Sequence, residues 1–291
     1  MTSIKRAQFM DRIATGVFYV VASIFFILLL CMTGYTLYNG FGGDNLKLLS
    51  VEGIGAQLFN TIYLVVLALI ISMPIGILAG IYMAMYATPS KVTTFIRISV
   101  ETLSSLPSIV IGLFGYLVFI LLTGARWNLF AGALTVSILM LPVLTTITED
   151  ALRSLPSNYA KVSYGLGATK FQTIKNVLLP ACIPQIITGI ILAAGRAFGE
   201  AAALLYTAGM ATDINWASTK LASPTNPWNP FRPGETLALQ IWASRTEAIS
   251  SNAGALADIS AAILMVLICT FTIIARYLSR RWQNRMMGRQ L

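Results

Sequence analysis

"YAKVSYGLGATKFQTIKNVLLP", residues 159–180, is a polar, basic stretch set between two long apolar runs. Its first part reads as a short polar helix. Gly165 and Gly167 then interrupt it in a Gly-x-Gly break, and a second helix-forming part runs to Pro180. In that second part Phe171, Ile174 and Leu178 recur at helical spacing and give one apolar face. Two short helices joined by a bend are expected. Their apolar face must lie on a membrane interface, on the rest of the protein, or on a partner.

The flanking runs explain why so polar a loop matters. Of 291 residues 56% are hydrophobic and 11% charged, with mean hydropathy +0.75, against about 25% charged in ordinary soluble domains. A membrane protein follows, in contact with lipid. Crossing roughly 30 Å of hydrocarbon takes about 20 apolar residues, and six stretches qualify: 17–39, 57–86, 107–123, 128–148, 182–210 and 258–277. The first follows Lys5, Arg6 and Arg12 but no small-x-small cleavage site follows it, so it reads as an uncleaved helix. The third is short, and Pro107, Gly112 and Gly115 favour a break or close packing near its start. Gly76 and Gly80 in the second read as a helix-packing pair. The expected fold is all-α with six transmembrane helices.

Charge fixes the expected orientation. With a cytoplasmic N-terminus, the inner side receives fourteen basic residues: Lys5, Arg6, Arg12, Lys91, Arg97, Arg153, Lys161, Lys170, Lys175, Arg276, Arg280, Arg281, Arg285 and Arg289. The outer side receives Lys47, Arg126, Lys220, Arg232 and Arg245, so the positive-inside rule puts both termini in the cytoplasm. The net charge of +9 is thus mostly topology. Basic residues scattered over four inner segments without interleaved aromatics do not suit nucleic acid. On the outer side, Trp216, Trp228 and Trp242 read as interfacial anchors. "ETLALQIWASRTEAI", residues 235–249, reads as a helix along the outer surface.

Composition also narrows the chemistry. The chain has no histidine, and Cys31, Cys182 and Cys269 lack C-x-x-C spacing, so no metal site, disulfide framework or unassisted hydrolytic centre is expected. "GLG" at 165–167 lacks a following Gly-Lys-Ser/Thr and is a bend, so no nucleotide cofactor is expected in this chain. The halves do not resemble each other, unlike those of inverted-repeat carriers.

One segment departs from the apolar pattern. "GRAFGEAAALLYTAG", residues 195–209, carries Arg196 and Glu200 inside the fifth run. A charge at mid-bilayer costs about 2.5–3.5 kcal/mol on insertion scales, so both should face protein or water. At i and i+4 they share a helical face and can pair, with Gly195 and Gly199 allowing close approach. Two roles remain open: a buried ion pair fixing helix register, or a cationic site on a solute path. In the second, Arg196 offers its fork to an oxyanion and Glu200 moderates its charge.

Residues 159–180 resemble the cytoplasmic loop signature of ABC importer permeases: Glu-Ala-Ala, three residues, Gly, nine residues, Ile-x-Leu-Pro. Lys161, Val162 and Ser163 stand at the Glu-Ala-Ala positions, Gly167 is the glycine, and Val177, Leu179 and Pro180 close the motif. Lys161 reverses the family's acidic sign. With "SLPSIVIGLFGY" (105–116) and "ITGIILAAGRAFGEAAALLYTAG" (186–209), the chain more narrowly resembles the A-type (PstA-type) permeases of phosphate-specific ABC importers over about residues 57–278. That family's last motif is close to Arg-Ala-x-Gly-Glu-Thr-Ala-Pro-Leu-Leu; here Ala201 replaces Thr and Ala203 replaces Pro.

The resemblance implies a type I ABC importer permease core at 57–278, preceded by a first helix and outer loop (1–56) and followed by a basic tail (279–291). It implies a bacterial cytoplasmic (inner) membrane location. The implied partners are a homologous second permease, two copies of a cytoplasmic ATPase that binds the ATP, and an extracytoplasmic phosphate-binding protein. Arg196, Gly199 and Glu200 would line the path of inorganic phosphate. Lys161, Val162, Ser163, Gly165, Gly167, Ala168, Val177, Leu179 and Pro180 would couple to the ATPase. Import of another oxyanion or small polar solute, and an ATPase-independent channel or carrier, are the competing readings.

Overall fold

The computed structural model describes residues 2–43, 54–247 and 252–286, and among them every regular element is a helix. Five helices are long and apolar enough to cross a membrane, or six if one sharply bent pair counts as a crossing. Lys47 and Arg289, and all of the expected tail beyond residue 286, fall outside the described residues.

The first helix, α1 (Thr2–Phe41), begins well before the expected residue 17. Its sides are exposed along nearly all its length. It touches the last helix, α11 (Ala253–Met286), at Gly40, where an added Cβ would fall 2.3 Å from Cβ of Ala262.

The centre is α2 (Ala56–Ile81) packed on α5 (Leu129–Arg153). Gly76 and Gly80 set their distance, since a Cβ on either would come within 2.6 Å of Leu144 or Thr148. The reading of this pair as helix packing therefore holds. Around the seam lies one apolar cluster that includes Leu64, Ala68, Ala133, Val136, Met140, Leu144, Ala194 and Phe198. Burial there stabilises by about 25 cal/mol per Å² only if the surface has left water. In lipid, close van der Waals fit between small residues does most of the work.

Two elements differ from expectation. Residues 91–105 form a helix, α3 (Lys91–Ser105), capped by Ser90 accepting from the Thr93 amide. It bends by 104° into α4 (Ser108–Gly115), whose last turn widens over Tyr116–Leu121. The expected 107–123 span is therefore the second arm of a broken pair. The break falls at Pro107, as its backbone restriction suggests. Gly112 and Gly115 give the close packing: a Cβ would sit 2.7 Å from Ala203 and 2.2 Å from Thr135. Arg97 on α3 is held by Glu149 of α5 at 2.6 Å, and Glu149 also accepts from Arg153 at 2.9 Å. Arg153 in turn donates to the carbonyl of Met83 at the end of α2.

The second difference lies between the last two crossings. Residues 235–249 were expected to lie on the surface, but α10 (Leu237–Thr246) buries Leu237, Ala238, Leu239 and Gln240. Its Leu237 amide donates to Thr61, and Gln240 accepts from Ser260 of α11. Period alone cannot separate a helix lying on the surface from one packed into it.

Candidate functional site

The loop after α5 folds as two short helices and a turn. α6 (Asn158–Gly165) ends in a Schellman cap: the Gly167 amide donates to Tyr164 O and the Ala168 amide to Ser163 O. Gly167 has φ +84°, where a side chain costs about 1–2 kcal/mol. Gly165 is simply the last residue of α6. α7 (Lys170–Thr173) then starts from a capping box in which Thr169 and Gln172 satisfy each other's amides.

The chain does not stop at Pro180. From Lys170 to Phe198 it is one continuous 29-residue helix, made of α7, a widened turn over Ile174–Leu178, and α8 (Leu179–Phe198). Pro180 occupies the first turn of α8, where its missing donor is tolerated, and the widened turn just before it carries the helix through. Ile174 and Leu178 are buried with Ala151, Leu152, Cys182 and Ile186. Phe171 does not join that face and is exposed. Lys170 sits over the Tyr86 ring at 4.5 Å, tying the start of this helix to the end of α2.

Of the coupling residues, Lys161, Val162, Gly165 and Gly167 are exposed, Ala168, Val177, Leu179 and Pro180 are half-buried, and Ser163 is buried. Ser163 shares a 2.9 Å hydrogen bond with Thr173 that locks α6 against α7. Tyr159, Val162, Leu166 and Val177 line an almost wholly apolar groove of about 390 Å³, and Leu166 is 84% exposed. No acid lies between Asp150 and Glu200, so this surface is apolar and cationic.

At its other end α8 overturns the expected pairing. The helix stops at Phe198, with Gly199 as cap, inside the run read as a span to residue 210. Glu200 therefore leaves the face of Arg196, and its carboxylate accepts from the Ala203 amide at 3.1 Å at the start of a single turn, Ala202–Leu205, labelled α9. Proline at 203 would lack that donor. Arg196 is exposed, and its guanidinium has no hydrogen bond or ion pair with any described residue. Exposed residues Gln185, Thr188, Leu192, Arg196 and Gly199 recur every three or four positions, a single largely polar stripe along α8. Irregular backbone at membrane depth is tolerated where it is buried in protein or lines water. After the break, residues 206–211 are pinned through Thr207 O to Asn128, Ala208 O to Gly234 and Ala211 O to Glu235.

Sequence reasoning missed a polar core at the end opposite the loop. Arg232, counted among the outer-side charges, is 1% exposed and donates to Asn60 Oδ1 at 2.5 Å and to the carbonyls of Pro227 and Pro233. Glu235 accepts from Gln57, and Asn60 donates to Glu235 O. The signal was present: Gln57, Asn60 and Thr61 share one helical face at the start of an apolar span. Trp216 and Trp228, read as anchors, pack edge-on against Phe59, and Trp228 also against Tyr63. Arg232→Leu would leave those acceptors unpaired and is expected to lower stability by about 3 kcal/mol. A clear drop in unfolding temperature of the purified protein checks it.

Burial pushes the Glu235 carboxyl above 4.5, partly offset by the Gln57 hydrogen bond. Between the unfolded value and the raised folded one, the native state keeps a proton that the unfolded state has released. Stability is thus retained below about 4.5 and falls as pH rises through the folded value. Glu235→Gln should flatten that slope in unfolding temperature measured against pH.

The comparisons agree with this architecture. Residues 76–284 match the family model "Binding-protein-dependent transport system inner membrane component". The chain is 43% identical over 277 residues to the probable ABC transporter permease protein YqgI of Bacillus subtilis, covering 92% of this chain and 94% of that one. It is 36% identical over 156 residues to the phosphate transport system permease protein PstA of Xylella fastidiosa, 54% of each chain. Among solved structures it resembles a bacterial ABC transporter that imports alginate (TM-score 0.64, 16% identity, 90% and 93% covered). It also resembles the MetNI methionine ABC transporter (TM-score 0.59, 18% identity, 83% and 99% covered). The fold is that of a type I ABC importer permease.

Proposed function

The chain belongs to the family of binding-protein-dependent transport system inner membrane components and is a membrane-embedded permease subunit of an ABC importer; from that premise we propose that its cargo is inorganic phosphate, passed along Arg196. The observation that carries this reading is an exposed guanidinium without a partner among the described residues, on the polar stripe of α8, next to a backbone break inside an apolar run. Such a group is costly in lipid and suited to an oxyanion in a path. Relatives named as phosphate transport permeases support the same cargo.

In the proposed assembly a homologous second permease covers the stripe at Arg196 and Gly199, two ATPases bind the loop end, and an extracytoplasmic phosphate-binding protein meets the opposite end. The excess of basic residues at the loop end supports a cytoplasmic placement of that end and of both termini, in a bacterial inner membrane. Lys161, Val162, Leu166 and Val177 would meet the ATPase. The 29-residue helix that begins at Lys170 carries Arg196 roughly 39 Å further on, so tilting it by the ATPase moves the solute-facing end as one body. Glu200, rather than neutralising Arg196, holds α9 and so the shape of the break. A bare guanidinium left to the solute binds through one fork, and passage needs binding that is weak enough to reverse.

Phosphate uptake in cells lacking this chain and then supplied with it tests the cargo. Uptake should return and should resist excess sulfate or molybdate; displacement by either would transfer the cargo to another oxyanion. Purified chain alone in liposomes should move no phosphate, and ATPase-independent flux would overturn the coupled reading.

A further inference from the structure

The end of α11 offers a second cationic feature that the transport reading does not use. Sequence after Asp258 contains no acid, yet Arg276, Arg280 and Arg281 fall there within six residues. Arg276 and Arg280 stand one turn apart on the same face, beside the buried Ser279. Opposite them α8 contributes Thr188, Ile191 and Leu192, and together these six residues enclose a cleft of about 210 Å³.

Like charges at i and i+4 repel by roughly 0.2–0.5 kcal/mol, and neither guanidinium has a hydrogen bond or carboxylate partner among the described residues. Arginines kept only for orientation need no shared cleft. These two line one with an apolar wall of Ile191 and Leu192, where the Thr188 hydroxyl already donates to the Pro184 carbonyl at 3.0 Å. Two planar forks match a tetrahedral oxyanion, and basic pockets between membrane helices at the basic side are suited to acidic headgroups.

We propose that the α8–α11 cleft is a binding site for a phosphate-type oxyanion, held by Arg276 and Arg280, and supplied either by an acidic lipid headgroup or by free phosphate. The site is distinct from Arg196, which lies two turns along α8, roughly 12 Å from the level of Thr188. It does not rest on phosphate being the cargo. An anion there would bridge the lever helix to α11 and brace the end nearest the loop.

The test uses the assembled importer in nanodiscs of phosphatidylcholine, with phosphatidylglycerol added or with inorganic phosphate titrated. Bound lipid is read by native mass spectrometry and anion binding by the rise in unfolding temperature. If the source is lipid, the wild type retains phosphatidylglycerol over phosphatidylcholine and inorganic phosphate has little effect. If the source is free anion, inorganic phosphate raises the unfolding temperature in phosphatidylcholine alone. In either arm Arg276→Gln with Arg280→Gln should weaken binding at least tenfold, and the paired lysine variant should recover only part of it, because charge returns without the fork. Arg280→Gln alone, which keeps one fork, should weaken binding by a smaller factor and serves if the double variant fails to assemble. Retention and anion response that are absent in the wild type, or unchanged in the double variant and in Arg280→Gln, would each overturn the site.

Discussion

Arg196→Gln is expected to cut phosphate uptake by roughly 30- to 150-fold, the equivalent of losing one charge-assisted hydrogen bond of about 2–3 kcal/mol. The chain should still assemble with its partners at normal levels. The expectation rests on what the side chain does not do in the protomer. It is exposed and closes no ion pair among the described residues, so its removal leaves no buried charge behind. A residue that fixed helix register would behave in the opposite way: assembly and stability would fall while the chemistry of the path stayed the same. Arg196→Lys separates charge from geometry. It keeps the positive field but loses the planar fork, and uptake should fall to an intermediate rate. Glu200→Gln should be milder than Arg196→Gln, because the amide oxygen can still accept from the Ala203 amide and hold α9. Uptake near the wild-type rate in Arg196→Gln, measured with labelled phosphate at matched expression, would remove the residue from the path.

Much of this architecture could be read from residues, and the failures share a cause. Apolar runs gave the crossings because hydrocarbon demands about 20 residues of continuous apolar surface whatever the partner. Gly76, Gly80, Gly112 and Gly115 were legible because only hydrogen permits the contacts they make. The i, i+4 pairing of Arg196 with Glu200 was not, because it assumed an unbroken helix. Gly199 ends the helix between them, and whether a glycine packs or terminates is decided by neighbours: here residues 206–211 bonded to Asn128, Gly234 and Glu235. Likewise Arg232 read only as an outer-side charge until a tertiary contact brought Asn60 to it from across the fold, beside the local carbonyls of Pro227 and Pro233. Local spacing fixes faces, while long-range partners decide which faces are filled.

Gly167→Val is expected to reduce ATPase turnover stimulated by binding protein by roughly 5- to 30-fold, since a β-branched residue at φ +84° costs about 1–2 kcal/mol or more. An added Cβ there meets nothing within 4 Å, so the effect comes from backbone conformation and not from a clash. To escape the left-handed region the chain must give up the Schellman bonds from Gly167 to Tyr164 and from Ala168 to Ser163. α6 then turns relative to α7, and the groove of Tyr159, Val162, Leu166 and Val177 loses its shape. Asn tolerates this conformation, so Gly167→Asn should stay within about twofold of the wild type. Gly167→Asp has nearly the same backbone tolerance but adds the only acid between Asp150 and Glu200, beside Lys161 and Lys170. A partner groove matched to that basic, apolar surface carries acidic groups, so the aspartate should uncouple or release the ATPase where the asparagine does not. The Asn and Asp variants thus separate charge from shape at one atom's difference. Unchanged ATPase co-purification and turnover in both Gly167→Val and Gly167→Asp would mean that this loop does not carry the drive. The motion that reaches Arg196 would then have to enter the membrane core elsewhere.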